Sequence, residues 1–194
     1  MTELRKVGEN GEPGSFSYGV ELIKDNTGDR YNINAFVDDL NVWESLFAKS
    51  MQAALLVTDG AGLIEHIALQ PGDQVHIVLF KGDGAKKIDK TFEIMSIGAG
   101  AQTVNRQGRA YTLNCVSSPA VYNKISVVNK ALSGKLSDMV KEIATTYLKI
   151  DSSKLDVEES DGDKKNVVMP GKKPFVMLNW LAAHAVSVES GVDG

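Results

Sequence analysis

The hydrophobic residues of this chain follow two different periods, and the change between them near residue 117 constrains the fold more than any other feature. From residue 16 to residue 117 the apolar positions mostly alternate, as over residues 18–22 and again over residues 51–57. Such alternation is typical of strands with one buried face. The 18 glycines of the chain suit a fold with many turns. About six strands at regular spacing predict a small antiparallel β-barrel or sandwich.

Turn signals divide this first region into elements. Residues 18–22 and 31–37 flank a cluster of Asp, Asn and Gly at residues 25–29, which predicts a β-hairpin. Residues 62–69 carry apolar positions at helical spacing and predict one or two turns of helix. The remaining expectations are a turn at 71–73, a strand over 75–79, a turn at 82–84, a strand over 92–97, a long loop over 98–108 and a last strand over 111–115.

Beyond residue 117 the apolar residues take up helical spacing. A helix is predicted over residues 136–148 with Ser133 or Ser137 as its N-terminal cap, and Pro174 is placed to begin a second helix. Residues 151–165 are charged and predict a solvent loop, followed by a short extended piece. The predicted fold class is therefore α+β: a flexible N-terminal arm over residues 1–15, an antiparallel β-barrel over 16–117 and an α+β domain over 118–194.

Charge and composition exclude several classes of function. The 21 Lys and Arg residues against 25 Asp and Glu give a net charge of −4, which argues against a basic surface for nucleic acid. No apolar stretch approaches the roughly 20 residues of a membrane-spanning helix, so no membrane insertion is expected. The N-terminus lacks the features of a secretory signal, which makes the cytoplasm the expected site of assembly. The single cysteine, Cys115, excludes an intramolecular disulfide framework.

The residues that most often carry chemistry are scattered along the chain. His66, His76 and His184 lack the spacing of metal ligands, and Cys115 alternates with apolar residues as a buried side chain would. The glycines near residues 82 and 98 lack the pattern of a phosphate-binding loop. The acidic residues 158–163 fail the ligand spacing of a calcium loop. The sequence thus predicts no catalytic residue, no metal and no cofactor, and the protein is not expected to be an enzyme.

Two aromatic groups invite a more specific interpretation. Residues 40–47 carry Trp43 and Phe47 between two predicted strands, and this segment suits a core strand or bulge as well as it suits a subunit contact. Residues 174–180 carry a second group with Trp180, for which core packing is favoured. The residues assigned to a subunit interface are Asp39, Trp43, Glu44, Phe47, Leu63 and Ile64.

The order of these motifs resembles the baseplate hub proteins of contractile-tailed bacteriophages and the related spike-hub proteins of type VI secretion. Residues 36–47 (FVDDLNVWESLF) are similar to a family segment that precedes a strand, and 137–148 (SDMVKEIATTYL) are similar to a family helix. The further matching segments run in family order: 51–59 (MQAALLVTD), 62–73 (GLIEHIALQPGD), 74–80 (QVHIVLF), 111–118 (YTLNCVSS), 166–175 (NVVMPGKKPF) and 178–183 (LNWLAA).

This resemblance implies a structural protein of a contractile injection system. The β-barrel would be a tail-tube-like domain, and a homotrimeric ring of chains would join the tail tube to the central spike. The implied partners are further copies of the chain, the spike protein, a tail-tube or tube-initiator protein and the baseplate wedge proteins. DNA would pass through the lumen without specific binding, and the protein would be located in the virion, in the tail baseplate. Family hubs continue beyond the segment matched by residues 178–183, so the α+β domain is expected to be incomplete.

Two other functions stay open at this point. One is a tail-tube or tube-initiator protein with one tube domain per chain, which would form a sixfold ring. The other is a tail-associated cell-wall hydrolase, which would require an acid–base pair that the sequence does not display.

Overall fold

The computed structural model describes residues 5–7, 16–45, 47–60, 62–81, 86–102, 108–162, 165–186 and 188. The chain divides into two compact units, Met1–Ser117 and Ser118–Gly194. This division coincides with the change of hydrophobic period in the sequence. No helix among the described residues is long and apolar enough to cross a membrane.

The first unit is a curled, antiparallel half-barrel of eight strands. Its strands follow one another across the sheet in the order β1-β2-β6-β7-β8-β5-β4, and β3 pairs with β2. Helix α1 (Leu63–His66) lies in the connection between β5 and β6. The strands are β1 (Arg5–Val7), β2 (Phe16–Ile23), β3 (Arg30–Asn32), β4 (Val37–Trp43), β5 (Gln52–Asp59), β6 (Gln74–Lys81), β7 (Lys86–Gln102) and β8 (Arg109–Ser117). This arrangement confirms the predicted α+β class with its antiparallel, barrel-like sheet.

The core of the first unit lies on the concave face of the sheet. Alternate residues of β5 are buried while their neighbours are exposed or half-buried, as the period of two requires. The same alternation brings one row from each central strand into the core. Its largest fully buried side chains are Leu22, Ile33, Leu55, Ile77, Phe92, Ile94 and Leu113.

The sequence misplaced three boundaries in this unit. Residues 34–36 form a 3-10 turn rather than a continuation of the hairpin strand, so β3 ends at Asn32 and β4 begins at Val37. The predicted loop over residues 98–108 is shorter, because β7 continues to Gln102. Arg5–Val7, within the predicted arm, pairs with β2 as a strand, and the rest of that arm lies outside the described residues.

The 3-10 turn connects β3 to β4 and is hydrogen-bonded to β2. Ile33 N–H donates to Val20 O at 3.1 Å, and Val20 N–H in turn donates to the side-chain oxygen of Asn34. Tyr18, also on β2, donates its hydroxyl hydrogen to Val37 O on β4 at 3.1 Å. Side-chain hydrogen bonds therefore supplement the strand ladder in this part of β2, and they hold β2 close to the start of β4.

The second unit packs helices against a two-stranded sheet. It contains α2 (Ser118–Ile125), β9 (Val128–Gly134), α3 (Leu136–Thr146), β10 (Lys165–Lys172) and α4 (Pro174–Ala182). β9 and β10 pair antiparallel, and both long helices contribute to one core. The buried side chains of that core are Val128, Leu132, Leu136, Met139, Ile143, Met169, Met177 and Leu181.

The spacing of apolar residues predicted α3, β10 and the start of α4 at Pro174, and the structure contains all three. Helix α2 and strand β9 were not predicted. The predicted serine caps of α3 are wrong. The N-cap residue is Lys135, and its side chain forms no capping hydrogen bond with the helix. The hydroxyl of the distant Ser160 instead accepts the N–H of Ser137 at 3.1 Å.

Candidate subunit interface

Strand β4 forms one end of the curled sheet. It pairs with β5 on one side, and no other strand of the described chain pairs with its second side. A strand in this position exposes backbone N–H and C=O groups that can pair with another chain. The candidate interface, called the β4 edge below, consists of this strand and the turn that follows it to Phe47.

The side chains of β4 alternate between the core and solvent. Leu40 and Val42 are half-buried and pack against the core, whereas Asp39, Asn41 and Trp43 are exposed on the outer face. A bulge between Val37 and Asp39 resets the pairing with β5 before this alternation begins. Bulges of this kind re-aim side chains near sheet edges.

Two large aromatic side chains of the β4 edge are open to solvent. Trp43 is 54% exposed and Phe47 is 96% exposed. Phe47 lies in a turn in which its own N–H donates to Ser45 Oγ at 3.2 Å. The core interpretation of these two residues is therefore wrong. Exposed aromatics beside an open strand edge are typical of a surface that another protein covers.

Acidic side chains surround these aromatics. Asp38, Asp39 and Glu44 are all exposed, and the sequence of residues 37–48 contains no Lys, Arg or His. Thr58 donates to Asp38 Oδ2, and Asn41 donates to Asp39 Oδ2 at 2.7 Å. These bonds orient the carboxylates on the outer face, so the β4 edge combines apolar area with negative charge.

One residue outside the assigned set belongs to the same surface. Leu56 of β5 lies directly opposite Asp39 in the register and is 39% exposed. The alternation of β5 could have identified it, since a leucine at an outward position of a half-buried strand adds apolar area to the surface.

Two of the assigned residues lie in α1, and the structure describes the side chain of Ile64 alone. Ile64 is only 6% exposed and packs in the core, so it offers no area to a partner. Its N–H donates to Asp59 Oδ2 at 2.8 Å, which fixes the start of the helix against β5. The backbone of Leu63 lies in α1, but its side chain is outside the described part of the structure.

The histidines do not converge on one site. His66 is exposed in α1, and His76 Nε2 on β6 lies 2.7 Å from Asp89 Oδ1. His184 stacks on Trp180, with 4.1 Å between the ring centroids. Within the described ranges, no group of three or more His, Cys, Asp or Glu side chains is arranged to hold a metal ion.

Cys115 is the buried side chain that the sequence predicted. It is 2% exposed in the core of the first unit, and burial raises the pKa of its thiol to about 12. A thiol held in this state is protonated at neutral pH and is inert as a nucleophile.

The second aromatic group is only partly in the core. Pro174, Met177 and Leu181 of α4 are buried, as the core interpretation expected, but Trp180 is 42% exposed. The ring of Trp180 therefore belongs to the surface of the second unit.

Comparison with known proteins identifies the fold without identifying a family. No family model matches the sequence, and a search of curated proteins found no similar sequence. Among solved structures, the tail protein from Neisseria meningitidis MC58 is similar, with a TM-score of 0.55 and 15% sequence identity over 85% of this chain. The match covers 44% of that protein, so this chain spans less than half of its length. At this identity the likeness shows a shared fold.

Proposed function

We propose that this chain is a structural component of a phage-type tail and, more specifically, a subunit of a baseplate hub ring. The fold likeness to a protein described as a tail protein supports the general role. The order of sequence motifs supports the hub. The role proposed is one of assembly, with no catalytic step.

The β4 edge is the observation that carries this proposal. A strand with one open edge among the described strands, with Trp43 at its end and Phe47 beyond it, is a hazard for a protein that stays monomeric, because the edge invites pairing with other chains. In a closed ring, each copy would cover the edge of its neighbour, and the exposed aromatics would become the buried centre of the contact.

The proposed partners follow from this position in a tail. Neighbouring copies of the chain would cover the β4 edge, and the spike, the tail tube or its initiator, and the baseplate wedge would contact other faces of the ring. The net charge of −4 suits a lumen through which DNA passes without adhering.

The test is the mass and symmetry of the purified chain. Light scattering and negative-stain electron microscopy are expected to show closed rings with threefold symmetry. A variant carrying Trp43→Ala and Phe47→Ala should be monomeric with an unchanged circular dichroism spectrum, because both side chains are largely exposed. Trp180→Ala is the matched control, since it removes a similarly exposed tryptophan from the other unit.

The alternative outcomes are distinct. A sixfold ring would favour a tail-tube or tube-initiator protein over the hub. A particle that stays monomeric at every concentration, or a ring that persists in the double variant, would contradict the proposed role of the β4 edge.

A further inference from the structure

The second unit has an open strand edge of its own. β10 pairs with β9 along one side only, and no strand among the described residues pairs with its other side. Val168, near the middle of β10, is 74% exposed. Pro170 lacks an N–H group and cannot donate to an added strand, which leaves residues 165–169 as the part of the edge able to form a regular ladder.

A groove runs along this strand. It has a volume of about 280 Å³, and β10 forms one wall while α4 forms the other. Val168 and Pro170 line it from the strand, and Val176 and Trp180 line it from the helix. The indole of Trp180 is held in place because it stacks on the ring of His184, whose Nδ1 lies 2.7 Å from Trp180 O. A fixed aromatic wall beside an open strand is suited to an extended chain.

Charges at the ends of β10 limit what can bind there. Lys165 and Lys172 are exposed at opposite ends of the strand, and neither forms an ion pair with a described residue. Strand geometry places them roughly 23 Å apart. β9, β10 and α4 contain no acidic residue. Lys172 lines the groove and Lys165 lies at the other end of β10, so this strand edge is apolar in its middle and has a positive charge at each end.

This pattern disfavours a second copy of the same strand. A second copy of β10 would bring two more lysines and no carboxylate to the shared edge, so it offers neither Lys165 nor Lys172 an opposite charge. A strand with acidic ends would make the opposite, favourable pairs.

We propose that β10 and the groove bind an extended segment of a different protein, apolar in its centre and acidic at both ends. The segment would add to β10 as a further strand along residues 165–169. Its apolar side chains would lie against Val176 and Trp180, and its acidic ends would meet Lys165 and Lys172. This second docking surface belongs to the second unit, and its charge is opposite to that of the β4 edge.

The test mixes the 194-residue chain with a labelled peptide, Asp-Asp-Val-Thr-Val-Thr-Val-Asp-Asp, and measures binding by fluorescence anisotropy. Its charge-reversed counterpart, Lys-Lys-Val-Thr-Val-Thr-Val-Lys-Lys, is the competing probe. The acidic peptide is expected to bind at least about tenfold more tightly than the basic one, and a variant with Lys165→Glu and Lys172→Glu should reverse that order.

Two further variants separate a specific groove from general attraction to charge. Val176→Ser should weaken binding of the acidic peptide about tenfold or more while the circular dichroism spectrum stays unchanged, since Val176 is 51% exposed. Lys141→Glu with Lys154→Glu, the same charge change at exposed positions elsewhere in the unit, should leave binding unchanged.

The proposal is overturned if the acidic peptide fails to bind, or if both peptides bind equally well. It is also overturned if a short DNA duplex binds as tightly through the same two lysines, because that would make the surface a general anion site. None of these results depends on whether the chain forms a ring. This proposal and the hub proposal can therefore fail separately.

Discussion

Lys24 Nζ lies 2.6 Å from Asp73 Oδ2, and the carboxylate of this pair is fully buried. Lys24 follows β2, whereas Asp73 precedes β6. The same carboxylate accepts the backbone N–H groups of Asp25 and Gln70, at 3.1 and 2.9 Å, and Lys24 also donates to Ala68 O. One buried side chain thus joins the hairpin turn to the segment between α1 and β6.

We expect Asp73→Asn to destabilise the first unit by about 2–3 kcal/mol, because an amide cannot satisfy Lys24 and both backbone donors together. Urea denaturation followed by circular dichroism measures the effect. Glu65→Gln is the matched control: Glu65 also lies 2.6 Å from its partner, Arg109, but both side chains are exposed and the change should leave the midpoint unaltered. Equal shifts in the two variants would contradict the role given to burial.

The stabilising effect of Asp73 should depend on pH. Burial acts to raise the pKa of Asp73, but the hydrogen bonds from Lys24, Gln70 and Asp25 and the charge of Lys24 outweigh it, so the pKa lies below its ordinary value. The unfolded chain therefore takes up a proton first as the pH falls. The advantage of the native protein over Asp73→Asn should be complete well above about pH 3.9 and should shrink below it. A difference that stays constant between about pH 6 and pH 3 would exclude this linkage.

Asn34 should be essential to the closure of the half-barrel. Its buried side chain accepts the N–H of Val20 in the gap between β1 and β3 along β2. Asn34→Ala would leave that buried donor without its acceptor, and we expect a loss of about 1–3 kcal/mol in the free energy of unfolding. Asn41→Ala, at an exposed position on β4, should cost much less in the same urea titration. If the two variants are equally stable, the bond to Val20 contributes nothing to stability.

Cys115 should be unreactive in the folded protein. Its thiol is buried and its pKa is raised to about 12, so at about pH 8 the folded chain should be alkylated by iodoacetamide at least 100-fold more slowly than the chain in urea, by a rough estimate. Cys115 is the single cysteine, which makes the mass increase of the whole protein a direct readout. Labelling at similar rates in the two states would show that the strand opens readily.

The sequence contained enough information for the regular parts of the fold. Strict alternation predicted β5 and β6, and helical spacing predicted α3, because in each case one face meets a core. Residues 31–37 also alternate, yet they contain the 3-10 turn at Asn34–Phe36. In this turn the side chain of Asn34 accepts the N–H of Val20, a contact between distant parts of the chain that local periodicity does not encode.

The sequence predicted the candidate interface as one of two interpretations, the other being a core strand or bulge. Trp43 and Phe47 are apolar residues in a strand-like segment, and the same residues would suit a core. Their exposure follows from the position of β4 at the end of the sheet, which depends on the pairing of β5 with β8. Ile64 was also assigned to the interface, although the helical spacing of apolar residues over 62–69 equally suits a buried face, and Ile64 is 6% exposed in the core.

Helix α3 depends on a cap from far along the chain. Ser160 is buried, and its hydroxyl accepts the N–H of Ser137 in the first turn of the helix at 3.1 Å and lies 3.3 Å from the hydroxyl of Ser137. Because this N–H has no partner within the helix, we expect Ser160→Ala to cost about 1 kcal/mol, as loss of an N-terminal cap does. Ser133→Ala, at the exposed serine that the sequence also suggested as a cap, should be neutral. Amide hydrogen exchange should locate the effect in the first turn of α3, with faster exchange at Ser137 in the Ser160 variant alone. Faster exchange in the Ser133 variant instead would indicate that Ser133 caps α3, as the sequence predicted.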